Sequence, residues 1–489
     1  MKLYFIGHDY KYAAEQMLLT LFPDRRPEYP SEPAAAGEDA LTLALYKGNT
    51  WVTAAARLML NGQVYTARRR CKAVELTGEL ETDRVCQRIL KLAFYEAGTR
   101  ALGTQPPWGA LTGVRPVKIP TKDMLAGKTA AQAHKLLRQE YFVSPDRARL
   151  AMDCAAASLA VDRSLGADEV SLYVGIPFCP TRCAYCSFIS ADVGRSLKLV
   201  SPYLEGLLQE VEQAGLGLKE AGKHIRSLYV GGGTPTTLSA PQLDILLTAM
   251  ERHLPLSRCT EYTVEAGRPD TISEDKLLVL KRHGIGRISI NPQTLEDHVL
   301  EAIGRKHTAG DIAQANALAR TVGFDCINMD LIAGLPKDSF AGFCRSLEGV
   351  LAMGPENITV HTLALKKGSR LTEQGAQIPS GEEVARMLDF SNETLRGLGY
   401  VPYYLYRQKY MSGSLENVGW ALPGKENVYN ICMMEELHSV LSLGAGGVTK
   451  LVDRKTGAIR RISNPKFPYE YMEQLPHILE QKRTLWNNT

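Results

Sequence analysis

The chain is 489 residues long, more than one hydrophobic core usually serves, so two or three domains are expected. Its composition is ordinary for a soluble protein, 45% apolar and 22% charged, and its formal net charge is only +4. That charge gives no reason to expect a nucleic-acid or anionic-membrane partner, and no apolar run approaches the roughly 18 residues of a membrane span.

The opening Met-Lys-Leu-Tyr-Phe-Ile-Gly is too short an apolar stretch for a secretory signal, so a cytoplasmic chain is expected. That compartment is reducing, and the ten cysteines are not expected to pair. Residues 1–165 read as an N-terminal α/β accessory domain with a helical connector. A strand at 2–6 is followed by a helix at 13–21 and a loop at 23–37. Strands at 41–46, 50–56 and 64–69 precede a helix at 82–95. The basic run Arg68-Arg69-Arg70 reads as a solvated strand end. Trp108-Gly109 and Gly113-Val-Arg-Pro116 suit a rigid connector, with helices at 130–139 and 145–161 beyond it.

Residues 166–379 change character. β-rich apolar runs at 171–176, 227–230, 261–265, 287–290, 326–332 and 358–363 alternate with amphipathic helices at 203–221, 242–253, 274–283, 311–322 and 340–353. Ser239 and Gln242 fit a capping box with Pro241 in the first turn, and Gly284 and Gly323 sit where helices end. Alternating strands and helices of these lengths mean βα units around a parallel sheet. The fold class is therefore α/β, a partial (β/α)6 TIM-like barrel, whose chemistry belongs at the C-terminal ends of the strands. Residues 380–489 form a C-terminal α+β extension that would cover a substrate. It has a helix at 382–395, a strand at 400–406, a short helix at 435–439 and the turn Gly444-Ala-Gly-Gly447.

Three cysteines stand apart from the scattered seven. Cys179, Cys183 and Cys186 follow directly on the first barrel strand, and three thiolates so close in sequence can converge on one metal centre. A structural zinc site wants four ligands, commonly two close pairs, and there is no second pair here. A [4Fe–4S] cluster held by three cysteines keeps one iron open for a chelating ligand. Structural zinc or a redox-sensing thiol is the competing reading.

The Cys-Pro-Thr-Arg-Cys-Ala-Tyr-Cys spacing, with Tyr185 before the last cysteine, resembles the radical S-adenosylmethionine (SAM) family. The resemblance implies that SAM's amino and carboxylate groups chelate the open iron. One electron from the cluster then cleaves SAM to a 5′-deoxyadenosyl radical that takes hydrogen from an unactivated carbon. It further implies that Gly231-Gly232-Gly233-Thr234 meets the methionine amino group and that Glu265 contacts SAM. Gln293 follows the fourth strand, Arg305 pairs with the SAM carboxylate, and Asp330 holds the ribose or a nearby group. Tyr173, Phe178, Tyr185, Phe188 and Ala364 complete the set expected around the cofactor.

Tyr173-Val-Gly-Ile-Pro-Phe-Cys179, Ile303-Gly-Arg-Lys-His-Thr308 and Asp330-Leu-Ile-Ala-Gly-Leu-Pro336 are similar to the oxygen-independent coproporphyrinogen III oxidase (dehydrogenase) branch. Leu111-Thr-Gly-Val-Arg-Pro116 points to its HemZ-like subgroup. The implied reaction is oxidative decarboxylation of two propionates of coproporphyrinogen III to vinyls, giving protoporphyrinogen IX. The implied partners are a tetrapyrrole and an electron donor such as flavodoxin or ferredoxin, with the chain a monomer. Tyr403, Tyr404, Tyr406, Arg407 and Lys409 offer a macrocycle apolar surface and cations, or form an amphipathic strand packed on the barrel. Two positions depart from the oxidase pattern. Phe188 stands where the oxidases carry a fourth cysteine, as it does in a sister group of haem-binding chaperones, and Gly175 stands where relatives often have His. A haem chaperone, for which His307, His361 and His438 are the candidate ligands, and a radical SAM tetrapyrrole methyltransferase remain the alternatives.

Overall fold

Punctuation in the sequence sets the element boundaries of the computed structural model, which describes residues 1–32, 37–186, 191–365, 369–373, 375–408 and 411–486. Ser239 accepts from the backbone of Gln242 in the expected capping box, and Gly323 ends its helix in the left-handed conformation. The chain divides into two compact units, Met1–Met152 with Gly413–Leu415, and Asp153–Ser412 with Glu416–Thr489. No helix among the described residues is long and apolar enough to cross a membrane.

The first unit holds a four-stranded sheet in the order β1 (Lys2–Ile6), β2 (Ala40–Lys47), β3 (Trp51–Leu60), β4 (Gln63–Lys72). The β1–β2 pair is parallel and the others antiparallel. Alternate residues Leu41, Leu43, Leu45, Val52, Ala54, Ala56 and Leu58 turn inward onto α1 (Lys11–Leu21) and α2 (Glu79–Leu102), forming one apolar core. The helix expected at 130–139 is shorter, Ala130–Lys135. It gives way to a wider turn of helix at Leu136–Glu140, where one extra residue per turn breaks the regular periodicity.

The second unit is built on an eleven-stranded sheet. Six of its strands are the expected ones: β5 (Glu169–Ile176), β6 (His224–Gly232), β7 (Glu261–Gly267), β8 (Arg287–Ile290), β9 (Cys326–Ala333) and β10 (Asn357–Thr362). All six run parallel, with helices α3 (Val193–Glu220), α4 (Ala240–His253), α5 (Glu274–Arg282), α6 (Ala309–Val322) and α7 (Phe340–Ala352) between them. This is the partial (β/α)6 TIM-like arrangement the sequence predicts.

Strands after residue 380 join the same sheet at both edges. Following α8 (Gly381–Gly397), β11 (Val401–Tyr406) and β12 (Asn417–Ala421) add beyond β10, with β12 antiparallel to it. At the other edge β13 (Val440–Leu443) lies parallel to β5, followed by β14 (Val448–Val452) and β15 (Ile459–Ser463). The helix expected at 435–439 lies earlier, as α9 (Val428–Glu435). Asn427 caps its first turn, and Glu436 closes it in the left-handed conformation.

One buried polar knot ties the late strands to the early ones. Glu210 on α3 is fully buried, yet accepts from the backbone of Gly444 at 2.7 Å, Tyr471 Oη at 2.7 Å and Asn464 Nδ2 at 2.9 Å. Tyr471 belongs to α10 (Pro468–Glu473); Lys482, on the final helix α11 (Leu475–Thr484), lies 3.6 Å from Glu210 and donates to Ser442 O at 2.8 Å. Removing one partner of such a pair leaves the other buried and uncompensated. Glu210→Ala is therefore expected to cost about 3–5 kcal/mol in urea unfolding; a loss within error would contradict the knot's role.

Candidate active site

Inward-facing side chains of a parallel barrel recur every second residue, so each strand delivers one row to the interior. Here those rows are polar: Tyr173 on β5, Tyr229 on β6, Glu265 on β7, Asn328 and Asp330 on β9, Thr359 and His361 on β10. Together they line a cavity of about 760 Å³ at the C-terminal ends of the strands. Cys179, Cys183 and Cys186 line the same cavity, as do Tyr185, Gly232, Gly233, Thr234, Gln293, Arg305 and Ala364. Of the predicted set, Phe178 is the exception. It is fully buried beneath the cysteine loop, edge-on to Tyr203 at 5.4 Å. Phe188 lies outside the described residues.

The cysteine loop is held from several sides. Ala184 donates to Ile303 O at 2.9 Å and Cys186 to Cys183 O at 3.2 Å. Arg268, already bidentate to Asp270, donates to Thr181 Oγ1 at 2.8 Å. Arg370 reaches the carbonyl of Arg182. Cys183 is buried, Cys179 and Cys186 are half-buried, and Thr234 Oγ1 approaches Cys179 Sγ at 3.6 Å. Among the described residues no three His, Cys, Asp or Glu side chains gather tightly enough to hold a single metal ion. The thiols are instead set around an open space.

The glycines after β6 are explained by proximity. Gly233 donates to Ile176 O at 2.8 Å and Thr234 to Phe178 O at 2.7 Å, so a Cβ on Gly233 would overlap the Phe178 backbone. A Cβ on Gly231 would stand 3.0 Å from the Glu265 carboxylate. Gly232, at φ +112°, occupies a conformation that L side chains avoid.

Glu265 accepts from Tyr229 Oη at 2.6 Å. Burial pushes its carboxyl up to about 7, with Asp330 adding to the rise and Tyr229, Gly232 and His361 opposing it. Arg305 donates to Asn291 O at 2.6 Å and Tyr185 Oη at 3.2 Å. Burial works against its charge, but Tyr185 and Cys183 beside it hold the guanidinium more firmly charged than usual. Its Nε, like Asn291 Oδ1, is a buried polar atom with no partner among the described residues. Burial pulls Asp330 upward, yet His361 at 3.7 Å and Asn328 at 2.8 Å keep it below the ordinary carboxylate range. Gln293 takes a left-handed backbone at φ +71° and bridges to the strand of Asp330 through both its N–H and its carbonyl.

The cavity floor was not legible in the sequence. Glu261 accepts from the first backbone N–H groups of α9 at 2.8 and 2.9 Å, which anchors that helix against the inward barrel face. Tyr429 then stacks on Tyr229 at 4.7 Å and Tyr173 at 6.3 Å, and Met433 and Met434 face the cavity. Tyr404 and Tyr406 line the cavity, whereas Tyr403 and Arg407 do not, and Lys409 lies outside the described residues. The three candidate histidines separate. His361 lines the cavity, His307 faces a second depression of about 320 Å³, and His438 is buried against Ser171 at 2.7 Å. Arg268 and Lys466 also line the cavity, and no motif suggested either.

Comparison with known proteins assigns the architecture. The radical SAM superfamily model matches residues 173–347. The oxygen-independent coproporphyrinogen-III oxidase-like protein HemZ of Bacillus subtilis is 42% identical over 385 residues, covering 78% of this chain and 77% of that protein. The chain belongs to the radical SAM superfamily, in this coproporphyrinogen-oxidase-like family. Membership implies a [4Fe–4S] cluster and SAM. The haem chaperone HemW of B. subtilis is 34% identical across 48% of this chain and 62% of its own length. The oxygen-independent coproporphyrinogen III oxidase of Pseudomonas aeruginosa is 32% identical across 47% of this chain and 51% of its own length. In fold, coproporphyrinogen III oxidase (HemN) from Escherichia coli superposes with a TM-score of 0.51 at 23% identity, over 65% of this chain and 72% of that one. The donor set fits the implied group: three thiols on one loop, a glycine cradle, and orphaned polar atoms on Arg305 and Asn291, two residues that line the same cavity.

Because the folded value of Glu265 is raised, its neutral form contributes stability that is full below the ordinary carboxylate range and is lost as pH rises through about 7. Glu265→Gln, fixed neutral, is expected to melt with a smaller fall in Tm between about pH 5 and pH 8 than the parent chain. Identical pH profiles would contradict the assignment.

Proposed function

We propose that this protein catalyses the oxygen-independent oxidative decarboxylation of coproporphyrinogen III, converting two propionates to vinyls. The observation that carries this reading is the continuity of one cavity, from the three thiols to a floor of Tyr404, Tyr406, Tyr429, Met433 and Met434. When bound, a [4Fe–4S] cluster held by Cys179, Cys183 and Cys186, together with SAM, supplies a radical able to take hydrogen from an unactivated carbon. The chain's own residues do the rest. Arg305 presents a preorganised cation to a ligand carboxylate, and Glu265 accepts from a ligand amine once deprotonated. Gly232, Gly233 and Thr234 let a ligand approach backbone closely, and Gln293 and Asp330 border the same space. The tyrosine and methionine floor desolvates an apolar macrocycle, and Lys466 at the margin meets its carboxylates. Residues 380–489, which supply that floor, act as the substrate cover.

A second reading, a haem carrier, is favoured by the HemW similarity and by Phe188 standing where a fourth cysteine would be. The deciding experiment reconstitutes the cluster anaerobically and adds SAM, a reductant and coproporphyrinogen III. Loss of carbon dioxide with a vinyl product by mass spectrometry is expected. Formation of 5′-deoxyadenosine without decarboxylation would remove the oxidase reading, and stoichiometric haem binding without turnover would install the carrier. Cys183→Ala is expected to abolish the cluster's visible absorption; full retention would refute the ligand set.

A further inference from the structure

The four strands of the N-terminal sheet carry seven cations, Lys2, Lys47, Arg57, Arg68, Arg69, Arg70 and Lys72, and no acidic residue. Across the chain the two signs nearly balance, 57 Lys and Arg against 53 Asp and Glu, so the bias is local. Strand alternation sorts it further. Arg69 turns to the covered face and pairs with Glu96 on α2. Arg68, Arg70 and Lys72 turn to the opposite face, as does Arg57, and all four are exposed. Register places Thr53 beside Arg70 and Trp51 beside Lys72 on β3 and β4, with Tyr46 of β2 beside Thr53. Tyr46 is 56% exposed and Trp51 38%, and the Arg70 guanidinium lies 4.3 Å over the indole.

A row of flat groups beside a ladder of cations is a recognition pattern with a defined chemistry. Bases stack on exposed aromatic and guanidinium planes, while phosphates pair with cations alongside. Arg68, Arg70 and Lys72 recur about every 7 Å along β4, a spacing an extended phosphodiester backbone can follow. Thr53 and Thr66 alternate onto the same face and add hydroxyls to it. We propose that the open face of this sheet binds single-stranded RNA, with Trp51 and Tyr46 stacking bases and Arg57, Arg68, Arg70 and Lys72 holding phosphates. The proposal replaces the expectation, drawn from net charge alone, that no nucleic acid is bound. It is independent of the cavity chemistry.

The test uses the full chain and a fluorescein-labelled oligouridylate, read by fluorescence anisotropy. Saturable binding is expected, with a log–log salt slope of about −2 to −3 for three or four phosphate contacts. Arg68→Ser/Arg70→Ser is expected to weaken binding at least about tenfold and flatten that slope, and Trp51→Ala to weaken it without changing the slope. Arg57→Gln/Lys72→Gln is a second variant at other surface positions, and unchanged melting curves certify each fold. Absent binding, or variants that bind like the parent, would overturn the proposal. So would tighter binding of the matching DNA strand or of duplex RNA, or equal competition by polyglutamate, the last pointing to an acidic protein instead.

Discussion

Everything at the cavity depends on a place with no room for a side chain. Gly233 donates to Ile176 while its α-carbon presses on the backbone of Phe178, and Thr234 donates to Phe178 in turn. These contacts bolt the end of β6 to the residues immediately before Cys179. Together with the contacts from Ile303, Arg268 and Arg370, they fix the loop that carries the thiols. The glycine run is thus first a packing device. Any ligand contact it makes is available because the backbone is already bare.

The electrostatics follow from that geometry. A barrel interior lined with carboxylates and a guanidinium is costly unless each group is answered. Tyr229 answers Glu265, His361 and Asn328 answer Asp330, and Tyr185 with the Asn291 carbonyl answers Arg305. Where answers run out, at Arg305 Nε and Asn291 Oδ1, the unmet groups belong to residues that line the cavity. A ligand bringing a carboxylate and an amine would meet a site already charged, oriented and short of partners.

How much of this was readable beforehand depended on chain length per element. The six parallel strands were legible because amphipathic helices separate them, several with caps such as Ser239, Thr308 and Ser339, and this punctuation fixes the βα period. The cysteine triple was legible from its spacing, and Arg305 from the resemblance of its motif to the family's. The four-residue β13 was not, since Val-Leu-Ser-Leu carries too little pattern to distinguish a strand from a buried turn. Nor was α9. The sequence suggested a helix only at 435–439, and Glu261, distant in sequence, is what anchors Val428–Glu435 as a floor. The basic strand β4 was visible as a solvated strand end, but net charge averages over faces and does not show that its exposed cations share one side.

The placement of β13 has a consequence for how the protein is made. Its partner β5 precedes it by more than half the chain, yet the two lie side by side, and Glu210 waits on α3 for Gly444, Asn464, Tyr471 and Lys482. On the ribosome, the cysteine loop emerges long before its neighbouring strand exists. The edge of β5 beside that loop therefore stays unpaired until translation reaches the C-terminal strands.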